Sequence, residues 1–329
     1  MSEKILVSLS WADRIPAAPL AIDKLRAKGW EVVFNTKNKN LGEAELVEAL
    51  PGVAGVIAGS DKFTARALEA ADRLQVISRV GVGFDAVDLG AATKKGIVVT
   101  TSPVQELFEA MADMTIGLMI AISREIPRLD RNVKAGKWTR IMGPHLFGRT
   151  LGIVGLGRIG KEVAKVAAAF RMRLLCYDVV RDEAFAAAHG LRYVDLPELL
   201  HEADYVTIHT PLNEATRGLI SRERLQMMKP TAYLINTARG PVVDEEALYW
   251  ALTNKVIAGA ASDVFQREPV DPSNPLLQLD NFIACPHVGG LSLQAIDAMF
   301  AAATQSVIDV LEGRKPYLVV NPEVYDGRG

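Results

Sequence analysis

LGIVGLGRIGKEVAKVAAAFRMRLLCYD, residues 151–178, is the stretch whose reading decides the fold. Leu151, Ile153 and Val154 form an apolar run of the kind found in a buried parallel strand. It runs straight into Gly155, Gly157 and Gly160, spaced GxGxxG. Behind the glycines Val163, Val166, Ala167 and Phe170 recur at helical spacing, and a second apolar run, Leu174 to Tyr177, ends on Asp178. This order of strand, glycine turn, helix, strand and acid is a βαβ unit that grips a dinucleotide. Gly155 permits the tight turn, Gly157 lets the backbone approach a pyrophosphate, and Gly160 lets helix and strand pack closely. The N–H groups exposed at the helix start favour the anion. Asp178 stands 18 residues past Gly160, at the tip of the next strand, where a carboxylate accepts from both ribose hydroxyls. It would repel a 2′-phosphate, so the cofactor reads as NAD and not NADP. Arg181, three residues on, is the one charge that argues the other way.

On either side of this unit the chain keeps the same rhythm. Before it, apolar runs at 5–9, 31–34, 55–58, 75–78 and 97–99 alternate with helical patterns at 17–28, 43–50, 64–71 and 89–95. The stretch from Gln105 to Lys134 reads as one long helix. A second series of strands follows at 151–154, 173–177, 204–208, 232–236, 257–261 and 282–284. A last helix at 293–311 and an extended tail at 317–324 come after that sheet is complete, and we expect them to return to the first domain. The predicted architecture is α/β, with two doubly wound parallel-sheet domains and a cleft between them. Residues 1–103 with 292–329 would form a discontinuous substrate-binding domain, and 104–291 the NAD-binding Rossmann domain. Ligands of such sheets sit at the carboxyl ends of the strands.

Composition narrows the function. The chain has 329 residues, enough for two cored domains. A net charge of −2 without basic blocks argues against nucleic acid as a partner. Cys176 and Cys285 are the two cysteines, both in apolar runs, so neither a disulfide framework nor a zinc site is expected. The apolar stretch 111–122 contains Asp113 and is too short to span a bilayer. MSEKILVSLSW lacks the basic and long apolar regions of a signal peptide, so a cytoplasmic location is expected.

Hydride transfer to a carbonyl needs a proton donor at the oxygen and a group that holds the substrate. Histidine is the natural donor near neutral pH. Of the five, His189 and His201 lie in polar helical contexts, His145 in a loop, and His209 just past the strand YVTI, near the cofactor rim. His287, in CPHVGG, stands at the carboxyl end of the last strand and is the candidate acid–base group. Arg239, in NTARGP, ends another strand and is placed to bind a carboxylate by two N–H bonds. A carboxylate beside His287 would orient its ring and favour the imidazolium. Glu268, Asp263 and Arg267 all lie in the right segment, and spacing does not separate them.

Together, residues 151–178, HTPL (209–212), NTARG (236–240), AASDVFQREP (260–269) and PHVGG (286–290) resemble the D-isomer-specific 2-hydroxyacid dehydrogenases, on the phosphoglycerate dehydrogenase-like side of that family. The resemblance covers essentially the whole chain. It implies an NAD-dependent oxidoreductase that interconverts a 2-hydroxy acid and its 2-oxo acid. It makes Arg239 the ligand of carboxylate and carbonyl, His287 the general acid–base and Glu268 its partner. Val82 and Gly83 would offer backbone N–H groups to the substrate. The implied cofactor positions are Val82, Arg158, Ile159, Asp178, Thr210, Thr237, Asp263 and the run His287 to Gly290, Gly289 included, with Asp263 holding the nicotinamide carboxamide. It also implies a homodimer, with 105–134 and 137–148 at the interface.

Departures from the family pattern bear on the substrate. Ala58 and Gly59 stand where phosphoglycerate dehydrogenases tend to carry an arginine, and Lys62 offers only a point charge. TSPVQELFEAMAD (101–113) is one residue longer than usual, and Phe108 and Met111 are either walls of the substrate pocket or plain core. Ala86 replaces the usual Asn after Asp85. The chain ends near Gly329, so control by serine through an appended domain is not expected. 3-Phosphoglycerate, glyoxylate or hydroxypyruvate, and larger 2-oxo acids stay open as substrates. A nucleotide-sensing protein of the co-repressor type is the rival outside the enzymes.

Overall fold

A computed structural model describes residues 2–326 apart from positions 17 and 38. The chain divides into two units, one made of the residues up to Leu107 and those from Gly290 onward, the other of Phe108–Gly289.

In the first unit, strands β1 (Lys4–Val7), β2 (Glu31–Phe34), β3 (Gly55–Ala58), β4 (Val76–Arg79) and β5 (Val98–Thr100) alternate with helices α1 (Ala18–Arg26), α2 (Glu43–Ala49), α3 (Ala65–Glu69) and α4 (Leu89–Lys94). All strands are parallel, in the order β2-β1-β3-β4-β5. The central strands β3 and β4 are fully buried, β3 wholly apolar and β4 opening on Val76 and Ile77, as a sheet covered on both faces requires. Short helices here depend on caps: Thr64 and Asp88 accept the N–H groups of Ala67 and Ala91. Lys95 donates to the carbonyls of Leu68, Glu69 and Ala71 at the end of α3. The helix read at 17–28 is α1, and its first position lies outside the described residues.

The second unit opens within α5 (Gln105–Ser123), and α6 (Ile126–Lys134) follows. The long helix expected at 105–134 is therefore two. Pro127 has no N–H to continue the ladder, and its ring would meet the carbonyl of Ser123. The chain breaks at Glu125, which takes a left-handed φ of 51°. Then come β6 (Thr150–Val154), α7 (Arg158–Ala169), β7 (Arg173–Tyr177), α8 (Glu183–His189), β8 (Leu191–Tyr193), α9 (Leu196–Glu202), β9 (Tyr205–Ile208), α10 (Arg222–Gln226), β10 (Tyr233–Asn236), α11 (Glu245–Thr253), β11 (Gly259–Ser262) and β12 (Phe282–Ala284). Seven parallel strands run β12-β11-β10-β9-β6-β7-β8. Strand β8 is not among the strands that the apolar runs predict; with three residues, one of them buried, it carries almost no hydrophobic signal. The order reverses between β6 and β9, and a doubly wound sheet opens its ligand crevice there.

α12 (Leu293–Leu311) packs on α1, β3 and β4, within the first unit. The tail follows it home: Val320 N–H donates to Val99, and buried Asn321 bonds Thr93, Ile97 and Val99. The tail is not extended to its end, because Pro322 opens a 3-10 turn over Pro322–Tyr325. Among the described residues no helix is long and apolar enough to cross a membrane, and no cluster of His, Cys, Asp and Glu is built to hold a metal.

Candidate active site

At the switch point of the seven-stranded sheet, β6 ends in the glycine turn. Gly155 takes φ 99°, and a Cβ there would lie 2.8 Å from the carbonyl of His209, just past β9. A Cβ on Gly160 would lie 2.1 Å from the carbonyl oxygen of Gly155, so α7 sits on the turn only because that atom is missing. Gly157 differs from both. It has φ −72° and ψ −163°, open to any residue, and a Cβ would meet nothing within 4 Å. The protein's own packing does not call for glycine here; the bare position leaves room for a ligand.

Asp178 closes the turn from β7. One carboxylate oxygen accepts from Leu156 N–H at 2.7 Å and the other from Val180 N–H at 3.0 Å. Arg181 is turned aside, over the Tyr193 ring at 5.1 Å and 3.5 Å from Glu183. Arg158, the first residue of α7, lies with its guanidinium 5.6 Å from the centre of the Phe108 ring. Phe108 and Met111 are both buried, and a Cβ on Gly289 would lie 2.9 Å from Met111 Sδ.

The chemistry-bearing loops follow β10, β11 and β12. His287 takes a left-handed φ of 57°, rare outside glycine and costly unless the surroundings impose it. Asp263, just past β11, imposes it. Its carbonyl accepts from His287 N–H at 2.8 Å, and its buried carboxylate accepts from Val288 and Gly289 N–H at 2.9 and 2.7 Å. Burial raises the Asp263 pKa against those two bonds and the nearby charge of His287. Glu268 reaches the histidine directly: its Oε2 stands 2.7 Å from His287 Nδ1, while Oε1 accepts from Phe265 N–H at 3.0 Å. Burial works against ionisation of Glu268, yet the hydrogen bond and charge of His287 hold its carboxyl below the usual 4.5. Structure thus separates what spacing could not: Glu268 is the partner of His287, Asp263 clamps the loop, and Arg267 has neither role. With Nδ1 facing a carboxylate, the ring carries its proton there and turns Nε2 outward. Arg239 follows β10. Its backbone carbonyl accepts from Asn236 Nδ2 at 2.9 Å, and its charge also favours the Glu268 carboxylate.

The other histidines stand apart from this group. His145 is exposed in its loop, His189 lies against Phe185 with ring centres 4.3 Å apart, and His201 bonds the Pro197 carbonyl. His209 keeps both ring nitrogens buried without a hydrogen-bond partner, and burial pushes its pKa down to about 3. Thr210 Oγ1 is likewise buried and unpartnered. Polar atoms left this way beside the glycine turn fit a dinucleotide that would complete their bonding. Thr237 Oγ1 lies 3.0 Å from Thr115 Oγ1, whose hydroxyl donates to the Met111 carbonyl. Val82 and Gly83 belong to the first unit, after β4; there Arg79 Nε donates to the Gly83 carbonyl at 3.0 Å. Gly290 opens the return to that unit.

Sheet order, glycine turn and terminal acid define a dinucleotide-binding α/β protein. The family model for the NAD binding domain of D-isomer specific 2-hydroxyacid dehydrogenases matches residues 116–289, and the chain belongs to that family. It is an NAD-dependent oxidoreductase acting on 2-hydroxy acids. It is 44% identical over 272 residues to a glyoxylate reductase of Thermofilum pendens, covering 80% of each chain. It is 42% identical over 269 residues to a D-3-phosphoglycerate dehydrogenase of Methanocaldococcus jannaschii, covering 81% of this chain but 51% of that protein. The crystal structure of the TT0316 protein from Thermus thermophilus superimposes with a TM-score of 0.88 at 38% identity, over 96% of this chain and 99% of that one.

Proposed function

We propose that the chain reduces a small, unphosphorylated 2-oxo acid of the glyoxylate and hydroxypyruvate class, with Arg239, Glu268 and His287 carrying the chemistry. The observation that carries this reading is the 2.7 Å bond between His287 Nδ1 and Glu268. NADH, when bound, supplies the hydride to C2. Gly155, Gly157 and Gly160 with Arg158 and Ile159 at the start of α7 would hold its pyrophosphate, and Asp178 its ribose. Thr210, Thr237, Asp263, Gly289 and Gly290 would complete the contacts. Arg239 grips the substrate carboxylate and stabilises charge growing on the carbonyl oxygen. His287 gives the proton at Nε2 in reduction and accepts it there in oxidation. Glu268 fixes the orientation of the ring through its Nδ1.

Two features favour an unphosphorylated acid. The end of β3 carries Ala58 and Gly59, without a guanidinium. Just beyond, buried Asp61 accepts from Ser8 Oγ at 2.5 Å, Leu41 N–H at 2.6 Å and Gly59 N–H at 3.1 Å. It sets a carboxylate against the charge of Arg79, the neighbour of Ala58 on β4, so that guanidinium is already balanced within the fold. We read the protein as a homodimer joined through residues 105–134 (α5 and α6) and 137–148, where Trp138 and Met142 are 81% and 98% exposed on the single chain. The unpaired thiols Cys176 and Cys285 accord with the cytoplasm.

The test is NADH consumption with glyoxylate, hydroxypyruvate, phosphohydroxypyruvate, pyruvate and a bulky 2-oxo acid, with NADPH as control. Glyoxylate or hydroxypyruvate should give the highest kcat/KM, and His287→Ala should cost about 100-fold or more in kcat with NADH affinity kept. A preference for the phosphorylated acid would refute the substrate assignment. Binding of NADH with negligible turnover of every acid would point to a nucleotide sensor.

A further inference from the structure

We propose that Glu245 is a positioning residue for the reaction, holding the loop that carries Glu268 against the segment that carries Arg239. This rests on the roles just proposed for Arg239, Glu268 and His287. Glu245 is the first residue of α11, and its two carboxylate oxygens reach the two sides of the 264–275 loop. Oε1 accepts the backbone N–H of Gln266 at 2.5 Å, and Oε2 accepts Asn274 Nδ2–H at 2.9 Å. Glu268 lies between these tether points. Each tether is itself anchored. Gln266 Nε2 donates to the Val243 carbonyl at 3.2 Å, and Asn274 Oδ1 accepts from Leu276 N–H at 3.0 Å.

The same backbone is pressed from a second side. A Cβ on Gly240, the residue after Arg239, would lie 2.0 Å from the carbonyl carbon of Phe265 and 2.5 Å from Gln266 N. Phe265 N–H is the group that Glu268 Oε1 accepts, and Glu268 Oε2 holds His287. A continuous path therefore runs from Glu245 through the 265–266 backbone to Glu268 and then to the proton donor. Gly240 and Glu245 both lie on the segment that runs from Arg239 into α11, so one short stretch of chain joins the carboxylate ligand to the loop that orients the histidine. Glu268 gains from such support, because its side chain is 38% exposed and its orientation rests on the backbone that Phe265 N–H belongs to. An acid at the first position of a helix also favours the helix dipole, but that role would not link it to the histidine.

Glu245→Ala, Glu268→Gln and the double variant separate the two roles. In Glu245→Ala we expect kcat in reduction to fall on the order of 10-fold, from a displaced Glu268. NADH affinity by fluorescence titration should stay within about 2-fold, since the glycine turn, Asp178 and Thr210 are untouched. The alkaline limb of the reductive pH profile should move to lower pH, as in Glu268→Gln but less far. In the Glu268→Gln background the Glu245→Ala change should have no further effect on kcat, because the group it acts through is gone. An equal loss of rate in both backgrounds, or an alkaline limb that does not move, would overturn the proposal. Asn274→Ala removes the second tether alone and should give the same signature at smaller amplitude. If Glu268→Gln itself changes neither kcat nor its pH profile, the catalytic reading has failed, a different result from Glu245 acting independently.

Discussion

Three glycines that look equivalent in GLGRIG answer to different masters, and two alanine variants separate them. At Gly160 a methyl would lie 2.1 Å from the Gly155 carbonyl oxygen, so helix and turn must part by about 1.3 Å to reach a 3.4 Å contact. Forcing atoms into a packed site costs about 1–3 kcal/mol. At about 2 kcal/mol, Gly160→Ala should lower the Tm by about 4–8 °C for a unit of this size. At Gly157 the backbone is extended and the methyl meets no protein atom within 4 Å. Alanine is a poorer N-cap than glycine but stiffens the unfolded chain, two effects that nearly cancel, so the Tm should move by less than about 2 °C. The methyl would occupy the space a pyrophosphate needs, and NADH affinity should fall about 10-fold or more, equivalent to about 1.4 kcal/mol. Calorimetry gives the Tm values and NADH fluorescence titration the Kd values. Gly157→Ala binding NADH within about 2-fold of the parent, or Gly160→Ala melting with it, would refute this division of roles.

Replacing Arg239 with Lys keeps the charge but loses the planar fork. The loss of about one charge-assisted hydrogen bond, about 2 kcal/mol, corresponds to about 30-fold in kcat/KM, and an unchanged specificity constant would assign the carboxylate to another residue. Glu268→Gln should move the alkaline limb of the reductive pH profile to lower pH; in the parent the Glu268 carboxylate, held below 4.5, stays charged throughout the neutral range and is lost only on deeper acidification. Asp61 behaves oppositely: burial raises its pKa above 3.8, so the folded chain holds this proton longer than the unfolded one, and stability falls as pH rises through that window. Urea unfolding across mildly acid pH should show that slope in the parent and a flatter one in Asp61→Asn; equal slopes would mean the carboxylate is not strained by burial.

Local pattern carried the sheets. Buried parallel strands need unbroken runs of Val, Ile and Leu, and those runs stand in the chain for anyone to read, with glycines at the turn and an acid at the strand tip. The apolar run predicts β11 at 257–261 and the strand is Gly259–Ser262, because GAAS has no β-branched side chain and its strand state comes from neighbours on both sides. Apolar spacing continues across the break at Glu125 and hides it, and Pro127 is its only local mark. Glu245 left no signal of its own, being one acid of two at a helix start.

Residue type and order by themselves determined the fold class, the dinucleotide site and the small set of groups able to carry the chemistry, because backbone sterics, hydrophobic period and side-chain pKa are local properties. Spacing alone does not say which carboxylate meets His287; the family resemblance points to Glu268, and the tertiary structure is what brings it there. Asp263 and Glu268 lie five residues apart on one loop, equally acidic, and the loop's path turns one inward to the 288–289 backbone and the other out to the ring. That path depends on Gly240 and Glu245, residues distant along the chain, pressing on the loop from another strand's end. Hydrogen-bond geometry falls off within fractions of an ångström, and positions that fine come from packing between segments, which no local pattern contains.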